Sequence, residues 1–213
     1  MTELTLLEQL GTYGTPTLFE ASIDVKALDP SIVALYRPIN MVGLAYTVAP
    51  ASGDNLCVHL ALAEAPPGSI LVVATTEDTQ HGFWGEVMTE AALARGIVGL
   101  VTDGAVRDSR AIRERNFPVF CRNTAIPGTT KRATGVLNKP ITIGQGTIQP
   151  GDVVVGDDDG VVVFSMALAP TLLELAEARR VKENRIMERL RQGELTLDLL
   201  GLRGVLNLRR TNG

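Results

Sequence analysis

The chain has 213 residues, of which 45% are hydrophobic and 21% charged, a composition that excludes extensive intrinsic disorder. Its 20 basic and 24 acidic residues give a formal net charge of -4, so the basic excess of a dedicated nucleic-acid-binding protein is missing. No apolar run approaches the roughly 18–20 residues that cross a membrane, and the first residues lack a signal-peptide pattern. We therefore expect a cytoplasmic protein with no nucleic-acid and no membrane partner.

The two cysteines are too few for a disulfide framework. Cys57 and Cys121 are predicted to be buried thiols of a protein from a reducing compartment. With two histidines, they also do not form the ligand spacing of a structural zinc site.

The first third of the chain alternates breakers with short regular elements. Residues 15–16 are Thr-Pro, which favours a helix start. The run 41–48 is rich in strand formers, and the apolar run 69–75 is typical of a buried parallel strand. Between them, Ser-Gly-Asp at 52–54 predicts the cap of a helix over 55–64.

A strand–helix pattern repeats in the middle of the chain and predicts parallel strands joined by βαβ crossovers. The predicted elements are a loop over 76–84, a helix over 86–95 closed by Gly96, a strand over 97–102, a turn at 103–104, a short helix capped by Asp108 or Ser109 and running to about 115, and a strand over 118–121.

Residues 141–164 change to turn-punctuated β structure, with turns at 150–152 and 159–160. The acidic run 157–159 lacks the other ligands of a calcium-binding EF-hand loop and is interpreted as a hairpin turn. A long charged helix is predicted from about 168 to 192.

The two halves of this long helix differ in character. The inner half has apolar positions at Leu172, Leu175, Ala176 and Ala178, which we expect to pack on the domain. Beyond residue 179 the helix is mostly charged, and the tail that follows is rich in leucine. We therefore predict one domain over 1–213, in which 179–213 is an oligomerisation helix and tail.

Common catalytic motifs are absent from the sequence. There is no G-x-S-x-G, no G-x-x-x-x-G-K-[ST] and no G-x-G-x-x-G after a strand, which disfavours a serine hydrolase and the common nucleotide-dependent enzymes. His59 lies in a predicted helix and His81 in a loop, and neither has a ligand partner at metal-site spacing.

The remaining candidate lies at the ends of the middle strands, where ligands gather in open α/β sheets. The amide-rich helix start 85–88 and the Arg107-Asp108 pair both fall there. The guanidinium can bind a carboxylate or an enolate, and the aspartate can hold a hard divalent cation. Equally, the pair can be a surface ion pair that caps a helix, and spacing alone leaves both readings open.

The segment from Gly85 to Arg122 resembles the RraA-like family, and the likeness extends over roughly residues 40–193. That family groups divalent-metal pyruvate aldolases, acting on 4-hydroxy-4-methyl-2-oxoglutarate and 4-carboxy-4-hydroxy-2-oxoadipate, with inhibitors of ribonuclease E. The resemblance implies an α/β fold, a swivelling β/β/α sandwich with a projecting C-terminal helix, assembled as a homotrimer or homohexamer with sites between subunits.

The aldolase members carry an acidic residue, twenty intervening residues and then Arg-Asp. Glu86 and Arg107-Asp108 have this spacing, with Glu86 in place of the usual aspartate. Since the inhibitor type tends to lose the Arg-Asp pair, its presence favours the enzyme. The resemblance implies a retro-aldolase that releases pyruvate from a 4-hydroxy-2-oxo acid, with oxaloacetate decarboxylation as a second activity.

The same resemblance implies a role for each site residue. Asp108 would hold Mg²⁺ or Mn²⁺, and Arg107 would bind the 2-oxo acid and stabilise its enolate. The helix start at Gly85 would offer the backbone amides of Val87 and Met88 to the substrate carboxylate.

Two further acids complete the expected site. Glu86, together with Glu183 of a neighbouring subunit, would orient the waters that move protons. No lysine is expected near the motif, which disfavours a Schiff-base aldolase. The alternative is a non-catalytic regulator that binds ribonuclease E or another protein.

Overall fold

The computed structural model describes residues 2–205. Its helices are α1 Glu3–Leu10, α2 Thr15–Ala21, α3 Leu56–Glu64, α4 Glu86–Ala94, α5 Ser109–Glu114, α6 Ala169–Arg191 and α7 Thr196–Leu199. Its strands are β1 Lys26–Ala27, β2 Val33–Ala34, β3 Met41–Ala49, β4 Ser69–Val73, β5 Gly82–Trp84, β6 Gly99–Thr102, β7 Ala105–Val106, β8 Val119–Cys121, β9 Asn123–Thr124, β10 Val136–Leu137, β11 Ile141–Ile143, β12 Gly146–Ile148, β13 Val153–Asp157 and β14 Gly160–Phe164.

The main sheet has the strand order β1-β14-β13-β3-β4-β6-β8-β2, with β10 added beside β3. Its central strands β3, β4, β6 and β8 are parallel, as the repeated strand–helix pattern predicts. Every residue of β4 and β6 is buried, because parallel strands are covered on both faces.

Alternation along β3 assigns the layers. Its even-numbered residues face the helices: Val42 and Leu44 pack with α1, α2 and α6, and Tyr46 and Val48 pack with α3, α4 and α5. The opposite face of the sheet packs against the β11–β12 hairpin. Hairpin, sheet and helices form three layers, which confirms the predicted β/β/α architecture.

A second, small parallel sheet orders the ends of the main strands. Strands β5, β7 and β9 pair in that order, and they follow β4, β6 and β8 along the chain. The prediction of a loop through residue 84 was therefore wrong at its end, where Gly82–Trp84 forms β5. Its backbone is ordered by pairing with β7, a long-range contact that local patterning does not encode.

The predicted punctuation of the chain is largely confirmed. Gly96 follows α4 with a φ of 72°, the left-handed conformation that closes a helix. The acidic run forms the β13–β14 turn, where Asp157 accepts hydrogen bonds of 2.7 Å from the backbone N–H and the hydroxyl of Thr15. Cys57 and Cys121 are both buried and free, and burial raises their thiol pKa values to about 11 and about 12.

Helix α6 starts on the domain and then leaves it. Leu172 and Ala176 are buried as predicted, but the prediction was wrong for Leu175, which is 42% exposed, and for Ala178. At 3.6 residues per turn these two point away from the line that contains Leu172 and Ala176. No residue of α6 beyond Ala176 is buried, so the outer part projects.

The tail after α6 exposes Leu195, Leu200 and Val205, and the predicted leucine-rich segment beyond residue 205 lies outside the described residues. Among residues 2–205, no helix is both long enough and apolar enough to span a membrane.

Candidate active site

The small sheet places the two halves of the predicted motif side by side. The backbone N–H of Arg107, just after β7, donates a 2.8 Å hydrogen bond to the carbonyl of Trp84, the last residue of β5. Gly85 and the start of α4 therefore lie against Arg107 and Asp108. The twenty-residue separation in the sequence is the length of α4 plus the return through β6 and β7.

Asp108 adopts an uncommon backbone conformation for a non-glycine residue, with φ 56° and ψ 37°. It occupies the N-cap position of α5, as predicted, but its side chain makes no capping hydrogen bond to that helix. Instead, its Oδ2 accepts a 3.0 Å hydrogen bond from the backbone N–H of Glu86. Strained backbone that aims a side chain at a neighbouring element is a frequent feature of functional sites.

Arg107 and Asp108 lie side by side at the surface of the cleft. The Nε atom of Arg107 is 3.7 Å from Oδ2 of Asp108, and the two side chains are 49% and 41% exposed. The long separation and the exposure leave the guanidinium and the carboxylate accessible to a ligand.

Three glycines make room for these two side chains. A Cβ atom on Gly85 would lie 2.5 Å from Oδ2 of Asp108, a distance that real Cβ contacts do not reach. A Cβ on Gly82 would meet the Cβ of Arg107 at 3.1 Å, and one on Gly128 would meet its Nη1 at 3.0 Å. The positions of both functional side chains therefore depend on the absence of these methyl groups.

The start of α4 offers two backbone donors. The N–H groups of Val87 and Met88 lie in the first turn, where a helix has no internal acceptor for them, and they donate no hydrogen bond within residues 2–205. Both residues line the same cleft as Arg107 and Asp108. The structure thus brings Gly85, Val87 and Met88 to the Arg-Asp pair, as the sequence predicted.

The two predicted acids are placed differently. The Oε1 atom of Glu86 accepts a 2.6 Å hydrogen bond from Nη2 of Arg115, and its backbone N–H donates to Asp108. Glu86 stands between the cleft residues Gly85 and Val87 but does not itself line the cleft. Glu183 lies on the projecting part of α6, where it pairs with Arg179 at 2.8 Å, and it does not line the cleft within one chain.

These elements surround a cleft of about 260 Å³. Its lining residues are Asn55, His59, Gly82, Phe83, Trp84, Gly85, Val87, Met88, Arg107, Asp108, Gly128, Thr129 and Lys131. The expectation that no lysine lies near the motif was wrong, because Lys131 reaches the cleft from a loop that is distant in sequence.

Asn55 and His59 form part of the wall that the sequence did not assign. Asn55 is 4% exposed, and its Nδ2 donates a 2.9 Å hydrogen bond to the carbonyl of Phe83, which leaves its buried Oδ1 with no partner in residues 2–205. The buried Nε2 of His59 likewise has none. Burial and then the charge of Lys131 lower the pKa of His59, which favours its neutral form.

A sequence signal for this pair exists in retrospect. Asn55 and His59 are four residues apart at the start of one helix, a spacing that puts two side chains on the same face. A search for metal-ligand spacing misses this pair, because it considers His59 without Asn55.

The segment 128–133 closes the cleft beside Arg107, and Asp54 holds it. The carboxylate of Asp54 accepts a hydrogen bond of 2.6 Å from the Thr130 hydroxyl and one of 2.6 Å from the Arg132 N–H. Burial alone would raise the pKa of Asp54, but these hydrogen bonds and others from Leu56 and Ala133 lower it below its usual range. Asp54 is therefore an ionised group inside the protein.

A larger groove, of about 680 Å³, lies between α1 and α6. Three of its polar side chains are paired with one another, since the Tyr13 hydroxyl donates to Glu177 at 2.7 Å and Arg180 reaches Glu177 at 2.6 Å. The smaller cleft, with its unpaired donors and acceptors, is the better candidate for chemistry.

The charges of the cleft define what it can bind. Two cationic side chains, Arg107 and Lys131, and two unpaired backbone amides face a single carboxylate, that of Asp108. Such a set is suited to a small carboxylic acid together with a divalent cation. Fold and site thus define a class, a β/β/α protein with a cleft lined by cationic side chains and free amides at the carboxyl ends of its parallel strands.

The chain belongs to the RraA-like family, whose model, described as Aldolase/RraA, matches residues 15–163. A relative from Halalkalibacterium halodurans is 37% identical over 181 residues, which cover 85% of this chain and 86% of that protein. That relative carries the name "Putative 4-hydroxy-4-methyl-2-oxoglutarate aldolase".

Solved structures agree with this assignment. An uncharacterized protein from Pseudomonas syringae pv. tomato superposes with a TM-score of 0.85 at 29% identity, over 93% of this chain and 94% of that one. Streptomyces coelicolor RraAS2, described as an unusual member of the RNase ES inhibitor RraA protein family, superposes with a TM-score of 0.75 at 26% identity, over 87% and 98%.

Proposed function

We propose that this protein is a divalent-metal-dependent aldolase that cleaves a 4-hydroxy-2-oxo acid, such as 4-hydroxy-4-methyl-2-oxoglutarate, to pyruvate and a second carbonyl compound. The observation that carries the proposal is the joint placement of Arg107 and Asp108 against the free amides of α4, in a cleft that Gly85 keeps open. The name of the 37% identical relative supports the reaction class.

The donor set fits Mg²⁺ or Mn²⁺. Within residues 2–205 no three His, Cys, Asp or Glu side chains converge, and Asp108 carries the one carboxylate among the residues that line the cleft, so Asp108 would hold the cation. Few protein ligands, with water and substrate oxygens for the rest, suit Mg²⁺ and exclude a closed structural zinc site. When bound, the ion supplies Lewis-acid stabilisation of negative charge on the 2-oxo oxygen.

The protein groups have separate tasks in the cleavage. Arg107 hydrogen-bonds the 2-oxo oxygen, and the amides of Val87 and Met88 bind the adjacent carboxylate. Arg115 occupies one carboxylate oxygen of Glu86. The other oxygen orients a water, and this water takes the proton of the 4-hydroxyl. The C3–C4 bond then breaks, and its electron pair becomes the enolate of pyruvate, whose charge Arg107 stabilises. The C4 oxygen becomes the carbonyl of the second product, and the water returns the proton to C3, which completes pyruvate.

Oxaloacetate decarboxylation is the proposed second activity because it passes through the same enolate. Breaking the bond to the departing carboxylate again leaves the electron pair on C3, and Arg107 stabilises the same oxygen. No additional protein group is needed for that reaction.

The cleft extends beyond the space that pyruvate needs. Lys131, Asn55 and His59 lie on the side that would receive the substituents at C4. We assign Lys131 to the distal carboxylate of a dicarboxylic substrate, and the buried oxygen of Asn55 to a hydroxyl or water donor. The neutral His59 adds a donor or an acceptor without a second buried charge.

Assembly into a trimer or hexamer is part of the proposal. The outer part of α6 exposes Val181 and Met187, and Glu183 can reach a cleft only in another subunit. Removal of the chain after Arg180 should convert the oligomer to monomers and abolish turnover, measured by light scattering and by pyruvate release. A fully active monomer would contradict both the assembly and the role of Glu183.

Glutamine substitutions test the two proposed water-orienting acids. Glu86→Gln and Glu183→Gln should each lower kcat by about tenfold or more, the usual effect of losing an outer-shell partner, with assembly unchanged. Glu188→Gln, on the same projecting helix, is the matched control. Wild-type kcat in either variant removes that acid from the mechanism.

The decisive experiment is turnover by the purified protein. Pyruvate release from a series of 4-hydroxy-2-oxo acids and from oxaloacetate, coupled to lactate dehydrogenase, should require Mg²⁺ or Mn²⁺ and stop with a chelator. Absence of metal-dependent turnover on every substrate would overturn the proposal. The second candidate, a regulator that binds a ribonuclease of the RNase E type, is favoured by the likeness to Streptomyces coelicolor RraAS2 and would then be tested by ribonuclease inhibition.

A further inference from the structure

Asp54 occupies a junction between two parts of the cleft that are far apart in the sequence. It directly precedes Asn55 and α3, and its carboxylate accepts hydrogen bonds from Thr130, Arg132 and Ala133 of the segment that carries Lys131. It is 2% exposed, although it does not line the cleft itself. Burying an ionised carboxylate costs free energy unless hydrogen bonds satisfy it. The donors to Asp54 therefore identify the segments that it holds in place.

Four donors satisfy this carboxylate. Its Oδ1 accepts a 2.9 Å hydrogen bond from the N–H of Leu56, in the first turn of α3. Its Oδ2 accepts from the Thr130 hydroxyl at 2.6 Å and from the N–H groups of Arg132 and Ala133 at 2.6 and 3.2 Å. One oxygen thus fixes the helix that carries Asn55 and His59, and the other fixes the segment that carries Lys131.

The backbone around Asp54 reinforces this connection. The N–H of Thr130 donates to the carbonyl of Gly53 at 2.8 Å, and the N–H of Asn55 donates to the carbonyl of Thr130 at 3.1 Å. At the other end of the segment, the N–H of Gly82 donates to the carbonyl of Pro127 at 2.8 Å. Residues 127–133 are therefore attached at both ends, with Thr129 and Lys131 facing the cleft between the attachments.

We propose that Asp54 is a positioning residue of the active site, which sets Lys131 at a fixed place relative to Asn55 and thereby determines affinity for the distal acidic group of the substrate. The proposal rests on the function proposed above. Asp54 acts through the segment it holds and does not touch substrate.

The substitution Asp54→Asn removes the charge while it keeps the size of the side chain. An amide has one acceptor oxygen, so in either orientation its NH₂ group faces at least one of the four donors. The segment should loosen, and KM for a dicarboxylic 4-hydroxy-2-oxo acid should rise about tenfold. The change in kcat should be smaller, because Arg107 and Asp108 are held by the small sheet and by α4.

Asp152→Asn is the matched control. Asp152 also accepts a backbone hydrogen bond that closes a turn, from the N–H of Gln149 at 2.8 Å, but it does not line the cleft or contact its walls. Its substitution should leave KM and kcat unchanged. A purely structural role of Asp54 would give both variants the same pattern, a lower melting temperature with wild-type kinetics in the folded fraction.

The coupling to Lys131 is the readout that a structural role would not move. In a Lys131→Met background, Asp54→Asn should raise KM by less than about twofold, since the group it positions is gone. Amide hydrogen exchange at residues 130–133 should accelerate in Asp54→Asn while exchange in β4 and β6 stays slow. Multiplicative effects of the two substitutions on KM would overturn the proposal.

A milder variant keeps the test valid if Asp54→Asn does not fold. Thr130→Val removes one donor to Asp54, has almost the same shape and lies at the surface. It should raise KM for the dicarboxylic substrate about twofold to threefold and should lose this effect in the Lys131→Met background. If the wild type releases pyruvate and Thr130→Val has an unchanged KM, this inference alone is overturned. A wild type without turnover overturns the proposed function.

Discussion

The cleft has two walls with different origins. The first wall is formed by Gly85, Val87, Met88 and the Arg107-Asp108 pair, which come from the consecutive elements β5, α4, β6 and β7. The second wall is formed by Asn55, His59 and the segment 128–131, which come from places more than sixty residues apart in the sequence. Regular secondary structure positions the first wall, whereas the second combines the start of α3 with a loop that a buried carboxylate and a few hydrogen bonds attach to it.

This difference implies a division of labour. The rigid wall carries the groups assigned to the bond-breaking step, in agreement with the need to hold such groups within a fraction of an ångström. The second wall carries the groups assigned to the variable part of the substrate, and its loop belongs to the kind of segment that changes most readily between relatives. Substitutions in the first wall should therefore lower kcat, and substitutions in the second should change KM and substrate preference.

The largest effects are expected at Arg107 and Asp108. Arg107→Ala should lower kcat by about 10²–10³, because the guanidinium stabilises charge that develops during the reaction. Asp108→Asn should abolish metal-dependent turnover by removing the charge that holds the cation. Steady-state kinetics and titration of Mn²⁺ binding measure the two effects.

Arg110→Ala is the control for these variants, because Arg110 lies on α5 and pairs with Glu114 at the surface. It should keep wild-type kinetics. Near-wild-type pyruvate release from both Arg107→Ala and Asp108→Asn, still sensitive to chelator, would place the reaction elsewhere in the protein.

The first wall was also the part that sequence reasoning could reach. Apolar runs predicted β4 and β6, and Gly96 predicted the end of α4, because these signals are local. Once strand, helix and strand are fixed, the ends of parallel strands must meet, which brings residues 85–88 to Arg107 and Asp108. The resemblance to a family then gave these residues roles that spacing alone left open.

The second wall could not be predicted for a physical reason. The segment 127–135 is a polar loop with Pro127 and Gly128 at its start, and nothing in its pattern shows where it lies. Its position is set by Asp54, which the sequence analysis interpreted as part of a helix cap. The cap bond to Leu56 exists, but the same carboxylate makes three further bonds to the distant loop.

An intermediate effect is expected at Gly85, which tests the first wall without removing a functional group. Gly85→Ala introduces a Cβ atom 2.5 Å from Oδ2 of Asp108, so the carboxylate must move away from the start of α4. Since a displacement of about 1 Å near reacting atoms costs on the order of 10²-fold, kcat should fall by about that factor. Affinity for Mn²⁺ should fall in parallel.

Gly146→Ala serves as the comparison, because Gly146 lies on β12, does not line the cleft, and a Cβ atom there would meet no atom closer than 3.6 Å. Its kinetics should match the wild type. Unchanged metal affinity in Gly85→Ala, together with normal kcat, would show that the carboxylate of Asp108 does not depend on the space that Gly85 provides.

The smallest effect is expected at Lys131, and it separates the roles of the two walls most clearly. Lys131→Met keeps the length of the side chain and removes the ammonium group. KM for a dicarboxylic substrate such as 4-hydroxy-4-methyl-2-oxoglutarate should rise about tenfold, the effect of losing one charged hydrogen bond at a partly exposed site. KM for 4-hydroxy-2-oxopentanoate, which has no distal carboxylate, should stay within about twofold, and kcat should be preserved for both.

Arg132→Met, one residue along and exposed, is the control and should leave KM and kcat unchanged for both substrates. If Lys131→Met lowers kcat for both substrates equally, the lysine belongs with the bond-breaking groups and the division between the two walls is wrong.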